Sequence, residues 1–307
     1  MVVLVDGNNM LYCQTAAAKL NSKGRPTQGI VGVMKELRAI LDRYHPDSLM
    51  VVWDGSRSRK RMEIFPEYKG NRDDKTPQEQ ALFEEFLYQK PIVRQAVLDL
   101  GLCSIEGPSV EADDVIAIFT DAFVESGQEV VIVSSDKDFF QLLGPHVRVF
   151  KPTQKEPREI TVEALKDMWG VIPGQWLDLR AVVGDKSDNI DGVKGVAEKT
   201  MAVILKKYGS LSEFWLKGTP SGKREMLLAE PMAKSIVARN RILMDLRNPC
   251  LHQEDRESVD IARGQIDIAS LETMLREYEI HSIFLALPMW IKPFQSLCGG
   301  NHGQKAA

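Results

Sequence analysis

A chain of 307 residues, 44% hydrophobic and 27% charged, has the make-up of an ordinary globular protein with room for two domains. No apolar run approaches the roughly 20 residues that cross a bilayer. The opening Met1-Val2-Val3-Leu4-Val5-Asp6 has neither a basic leader nor a cleavage site, so a cytoplasmic protein without membrane attachment is expected. The formal net charge of −4 argues against nucleic acid only weakly, because setting aside about nine clustered acids leaves about +5 on the remaining surface.

Val2-Val3-Leu4-Val5 is a short, β-branched apolar run that stops at Asp6-Gly7-Asn8-Asn9, the pattern of a buried strand and a turn. From 29 to 43, Ile30, Val33, Met34, Leu37, Ile40 and Leu41 recur at helical spacing. A second buried strand, Leu49-Met50-Val51-Val52-Trp53, ends at Asp54. Residues 78–100 are predicted helical, with Pro91 as a break or kink. A third strand, Val130-Val131-Ile132-Val133, leads through Ser134-Ser135 to Asp136. Alternating strands and helices imply an α/β fold, a largely parallel sheet with helices on both faces. Beyond Thr161 the predicted elements are helices at 161–169, 174–183, 196–207, 222–230, 231–246 and 270–279, with no further strong strand. They define a second, helical domain, joined through the loop 152–157. The end of the chain has no core-forming pattern and reads as a disordered tail.

In a parallel sheet, ligands lie beyond the carboxyl ends of the strands. Asp6, Asp54 and Asp136 all fall at that edge. One aspartate after a strand is ordinarily a turn residue or a helix cap; three of three make coincidence a poor explanation. Val110-Glu111-Ala112-Asp113-Asp114-Val115 adds three carboxylates at the mouth of a helix that continues apolar nearly all round. Acids buried there must be paired, protonated or bound to a cation. Four dispersed cysteines form no C-x-x-C pair, and the five histidines show no H-x-x-x-H spacing. The ligands of any metal are therefore oxygens, which suits Mg²⁺ or Mn²⁺. Arg57, Arg59, Lys60 and Arg61, followed by Lys69 and Arg72, make the densest positive patch in the chain. It is either a solvated loop or a phosphate-contacting surface, and its place beside Asp54 favours phosphate. Asp185 and Asp188, three apart, can share a face of a helical turn. Gly192 and Gly195 let the backbone approach a partner ahead of a helix in whose first turn Lys199 adds a charge.

These segments resemble the 5′ nucleases: phage 5′→3′ exonucleases, flap endonucleases and the 5′-nuclease domain of bacterial DNA polymerase I. The resemblance is carried, in order, by Val5-Asp6-Gly7-Asn8, Trp53-Asp54, Phe65-Pro66-Glu67-Tyr68-Lys69-Gly70-Asn71-Arg72, Val110-Glu111-Ala112-Asp113-Asp114, Ser135-Asp136-Lys137-Asp138 and Gly184-Asp185-Lys186-Ser187-Asp188-Asn189. It runs from residue 2 to about residue 290; a shorter likeness to PIN-like ribonucleases covers only the first domain.

The resemblance implies a PIN-like α/β domain over 1–160 with a helical arch at about 73–100. A helical domain over 161–292 follows, with a helix-two-turn-helix at about 180–209, and then a tail over 293–307. It implies two Mg²⁺ ions, replaceable by Mn²⁺. Asp6, Asp54, Glu111 and Asp113 would surround one; Asp113 or Asp114, Asp136, Asp138, Asp185 and Asp188 would surround the other. A regular helix sets Glu111 and Asp113 about 200° apart and Glu111 and Asp114 about 60° apart. Glu111 and Asp113 can share an ion only if the helix begins after Glu111. Lys69 and Arg72 would steady the charge on the scissile phosphate. Tyr12 and Tyr68 are expected as stacking platforms, with a buried position the equal alternative for Tyr12. Arg57, Arg59, Lys60, Arg61, Gly192, Gly195 and Lys199 would contact DNA, and backbone groups of Val193 and Val196 would hold K⁺. The implied activity is 5′→3′ exonuclease and flap endonuclease on DNA with a 5′ end or flap. RNA–DNA hybrids are compatible, as are a monomer and a functional link to a DNA polymerase. Two departures stand out. Ala197 replaces the usual third glycine of the turn, and the arch is sparse in basic residues (Lys75, Lys90, Arg94) while carrying Glu79, Glu84 and Glu85. A catalytically silent junction-binding module predicts missing ligands, and none is missing. A PIN-like ribonuclease leaves the helical domain and the Asp185/Asp188 pair without a role.

Overall fold

The computed structural model describes residues 1–107, 110–152, 158–248 and 259–300. Val2–Asp6 (β1), Ser48–Trp53 (β2), Cys103–Glu106 (β3), Val130–Val133 (β4), Val147–Lys151 (β5), Arg158–Ile160 (β6) and Asp260–Arg263 (β7) form one seven-stranded sheet of order β7-β3-β2-β1-β4-β5-β6. The five inner strands pair in parallel, and β6 and β7 close the two edges antiparallel. The strand order reverses at β1, which is where such sheets open a crevice beyond their carboxyl ends.

Burial explains the continuous apolar runs. Every residue of β1 is buried, as parallel strands covered on both faces must be. Successive side chains point to opposite faces. Val2 and Leu4 pack with Val115 and Ile116 of Ala112–Glu125 (α5), whereas Val3 and Val5 pack with Leu11 of Gly7–Ala17 (α1) and Ile30 and Met34 of Gln28–Tyr44 (α2). Between β2 and β3 run Arg59–Ile64 (α3) and one 23-residue helix, Pro77–Asp99 (α4). Thr76 and Glu79 form a capping box, and Pro77 occupies the first turn, so α4 starts sharply.

Helices Val162–Trp169 (α6), Pro173–Val183 (α7), Glu198–Tyr208 (α8), Leu211–Lys217 (α9), Lys223–Ala229 (α10) and Pro231–Met244 (α11) follow. All but α9 match the helical periods read from the sequence to within a few residues; α9 is not among them. After β7 the chain adds Ile268–Glu277 (α12), two single turns, and Lys292–Gly300 (α13).

Four expectations are corrected here. Pro91 does not break α4, because Phe86 and Gln89 before it and Val93, Ala96 and Val97 after it are buried on one body. This packing limits the free part of the stretch 73–100 to its first turns. The late strand β7 went unseen because Asp260-Ile261-Ala262-Arg263 is an edge strand whose side chains stay largely exposed, with no apolar alternation. The segment after 260 does not stay with the helical domain: Leu271, Leu275, Ile283 and Phe294 join the core beneath β1 and α2. Finally, the stretch expected as a tail begins with α13, whose Phe294 is fully buried; residues 301–307, and residues 153–157 of the joining loop, lie outside the described residues.

Candidate metal centre

The carboxyl ends of β1, β2 and β4 present Asp6, Asp54 and Asp136, as their sequence positions require. Asp6 is the N-cap of α1 and accepts from the Asn9 amide at 3.0 Å and from the Ser134 hydroxyl at 3.0 Å. Gly7 is obligatory at this turn, since a Cβ there would lie 2.7 Å from the Trp53 ring. Asn8 donates to Asp54 at 2.8 Å, and Asn9 accepts from the Ser135 amide and hydroxyl. The Asp-Gly-Asn-Asn turn therefore ties the ends of three strands together.

Glu111 is the N-cap of α5, with extended backbone (φ −81°, ψ 145°), and the helix starts at Ala112. This is the arrangement required for Glu111 and Asp113 to work together. Asp54 accepts from the Ala112 amide at 2.7 Å, anchoring the helix mouth to β2. One oxygen each of Glu111, Asp113 and Asp114 lies within 4.8 Å of the others. Hydrogen bonding nevertheless divides the three. Arg61, 1% exposed, donates to both oxygens of Asp114 (2.5 and 2.7 Å), to Glu111 at 3.0 Å and to the Leu243 carbonyl at 2.9 Å. Arg61 is therefore a buried strut and contributes no DNA-contacting surface; it engages both oxygens of Asp114, which still stands in the acid group at the helix mouth that could hold a cation. Tyr68 is likewise no stacking platform. It is 3% exposed, and its hydroxyl donates to Glu111 at 2.8 Å. Tyr12, by contrast, is 41% exposed, with its ring edge against Phe86.

The second group of acids comes from two loops. Asp136 accepts from the Asp138 amide at 2.8 Å in the turn after β4. Asp185 and Asp188 lie on the short hairpin after α7, and Asp185 accepts from the Ser187 amide and hydroxyl. Lys69, held in left-handed backbone (φ 56°), places its ammonium 2.9 Å from Glu111 and 3.9 Å from Asp188; Arg72 reaches Asp188 at 2.7 Å. The loop that carries them is sewn to the hairpin by Lys69 N–H to the Asp188 carbonyl and Asn71 to the Lys186 carbonyl. Sequence reasoning missed Arg180 of α7, which bonds Asp138 at 2.7 Å and also pairs with Asp185.

So many acids packed together shift one another's protonation. Burial, with Asp54 next to it, pushes Asp6 up to about 7. Burial and the neighbouring Asp136 push Asp138 up to about 7 despite Arg180. Burial and Asp114 hold Asp113 well above the usual carboxylate range. Burial alone would raise Glu111 too, but Lys69 and Arg61 hold it down at about 2. Asp6 and Asp113 have no cationic side chain within ion-pair distance among the described residues. An all-oxygen donor set, buried at Asp6 and Glu111 and short of positive charge around Asp6 and Asp113, fits a divalent cation.

The remaining expected contacts separate by exposure. Arg57 pairs with Asp73 at 2.6 Å, Arg59 is exposed, and Lys60 is half-buried. Gly192 serves close packing within the chain, because a Cβ there would meet the Val183 carbonyl at 2.2 Å. Gly195 is exposed with φ +88°, and Lys199 is exposed on α8. Val193 and Val196 are buried, and the Val196 amide donates to the Val193 carbonyl at 3.2 Å. Ala197 takes extended backbone as the N-cap of α8, so the missing third glycine costs no left-handed strain there. The arch acids act locally: Glu79 completes the capping box, Glu84 accepts from Gln80 and Glu85 from Gln28.

Two family models together match residues 1–263. The 5′-3′ exonuclease N-terminal resolvase-like domain covers 1–170, and the 5′-3′ exonuclease C-terminal SAM fold covers 171–263. A 5′-3′ exonuclease of Aquifex aeolicus is 33% identical over 282 residues, covering 91% of this chain and 92% of its own. A thermostable DNA polymerase I of Thermus thermophilus is 38% identical over 212 residues, 68% of this chain and 24% of its own. The chain therefore spans about a quarter of the length of that polymerase. The fold is similar to that of the T5 5′-exonuclease with bound divalent zinc ions: TM-score 0.71, 24% identity, 91% of this chain and 98% of that one.

Proposed function

The chain belongs to the 5′-3′ exonuclease family, and from that premise we propose a structure-specific nuclease that hydrolyses DNA phosphodiesters at a 5′ end or a 5′ flap. The observation that supports this reading best is the convergence of acids from three strand ends, the α5 mouth and the Asp185–Asp188 hairpin, with Lys69 and Arg72 fixed among them. Asp6, Asp54, Glu111 and Asp113 would hold one Mg²⁺, and Asp136, Asp138, Asp185 and Asp188, with Asp113 shared, the other; Mn²⁺ would substitute. Bound there, the ions would lower the pKa of a water and stabilise the leaving oxygen.

The chain's own groups do the rest. Lys69 is held at the acids by Glu111 and Asp188, so its ammonium is already oriented where charge develops on the scissile phosphate. Arg72, half-exposed beside it, can turn from Asp188 to a phosphate oxygen and bind it in two-pronged fashion. Tyr12 offers an exposed ring near the same edge for a terminal base. Arg57, Arg59, Lys60 and Lys199 would neutralise backbone phosphates, and the turn around Gly195 would approach the duplex, with carbonyls of Val193 and Val196 as a K⁺ seat. A monomer acting beside a DNA polymerase, with RNA–DNA hybrid as a further substrate, fits this reading. No helix among the described residues is long and apolar enough to cross a membrane.

The test compares 5′-flap, nicked, blunt and RNA-primed duplexes in Mg²⁺, in Ca²⁺ and in EDTA. Cleavage of flap and nick in Mg²⁺ alone supports the proposal. Tight binding of every substrate without cleavage in Mg²⁺ or Mn²⁺ would make the chain a junction-binding module instead.

A further inference from the structure

The two acid groups are each underpinned by a buried arginine. Arg61 spans Glu111 and Asp114; across the centre, Arg180 spans Asp138 and Asp185. Arg180 sits near the C-terminal end of α7 with its side chain 10% exposed, where it also approaches the Gly184 carbonyl at 3.5 Å. The two carboxylates it joins belong to different parts of the chain: Asp138 to the turn after β4, Asp185 to the hairpin after α7. We infer that Arg180 is a positioning residue for divalent-cation binding, fixing Asp138 and Asp185 in one geometry. This rests on the metal-dependent reading above.

The bonds carry the argument. Arg180 Nε bonds only one oxygen of Asp138, leaving the other without a protein partner among the described residues. Asp185 is fixed from both ends, by Arg180 on one oxygen and by the Ser187 amide and hydroxyl on the other. Asp136 joins the set through the Asp138 amide. A planar guanidinium can span two carboxylates with diverging N–H groups at fixed angles, which an ammonium cannot do. Groups that orient metal ligands from behind typically contribute roughly 10- to 100-fold in metal affinity. Without Arg180, Asp138 and Asp185 would repel each other and Asp136, and the hairpin would lose its tie to the sheet edge.

Mn²⁺ titration of the full chain without DNA, followed by electron paramagnetic resonance, reads this directly. The unaltered protein should take two ions. In Arg180→Met one ion should bind roughly 10- to 100-fold more weakly while the other is unchanged, and Arg180→Lys should fall between. Should Arg180→Met not fold, Arg180→Lys carries the test alone, since it keeps the cation and gives up the span. Two ions bound as tightly in Arg180→Lys as in the unaltered protein, or more tightly in Arg180→Met, would overturn the inference. Absence of Mn²⁺ binding by the unaltered protein would refute the metal-dependent reading on which it rests.

Discussion

Arg61→Met is the most informative single substitution for the architecture of the centre. Arg61 is 1% exposed and makes two bonds to Asp114, itself 2% exposed, one to Glu111 and one to the Leu243 carbonyl. Removing it leaves Glu111 with Lys69, at 2.9 Å, but leaves Asp114 buried without a cation. Breaking one side of a buried ion pair costs about 3–5 kcal/mol, whereas replacing both sides by apolar residues is often close to neutral. Arg61→Met should therefore destabilise the metal-free protein by about 3–5 kcal/mol. Arg61→Met with Asp114→Leu should recover a good part of that loss, giving a coupling of about 2 kcal/mol or more. Urea unfolding in EDTA, with unchanged slopes, measures each. Asp114→Asn supplies the complementary reading: it should weaken the fold while both Mn²⁺ ions still bind. Strictly additive single effects below about 1 kcal/mol, or loss of an ion on Asp114→Asn with stability intact, would refute the assignment of Asp114 as an anchor.

Four further outcomes are expected. Asp6 and Asp138 are both raised to about 7; the stability that their protonation contributes is full below the unfolded value near 4 and is lost as pH rises through 7, about 4 kcal/mol at most for each. Melting scans in EDTA should thus fall between about pH 5 and 8 and stay nearly level in Mg²⁺; a profile in EDTA that rises over this range contradicts the assignment. Lys69→Ala should lower kcat by about 10²–10³-fold with little change in KM, and a pure KM effect would remove Lys69 from the transition-state role. Asp185→Ala with Asp188→Ala should abolish flap cleavage while DNA binding persists in a gel-shift assay. Gly7→Ala should cost about 1–3 kcal/mol in urea unfolding, because its Cβ would meet Trp53 at 2.7 Å.

Three strands of the sheet, β1, β2 and β4, were legible because burial on both faces turns them into apolar runs that lead to Asp6, Asp54 and Asp136, whereas Ser104 in β3 and Arg148 in β5 interrupt the apolar pattern of those strands. Helix angles left two starts open for α5, and the structure sets the start after Glu111. What the sequence hid depends on long-range pairing. Arg61 lies in a positive run that reads as a phosphate-contacting surface; its partners Asp114 and Leu243 are 53 and 182 residues away. Tyr68 looks like a surface aromatic beside a Lys-Gly turn until Glu111 claims its hydroxyl. Arg180 stands among apolar residues of α7 with nothing local to mark its pairing with Asp138. The edge strand β7 offers no period, since most of its side chains are exposed.

One measurement bears most directly on the central claim: single-turnover cleavage of a 5′-flap duplex labelled on the flap, started by adding Mg²⁺ to the preformed complex in EDTA. The account predicts no product before the addition and scission near the single-strand/double-strand junction after it. A flap that stays bound and intact in Mg²⁺, or cleavage that proceeds in EDTA, would contradict it.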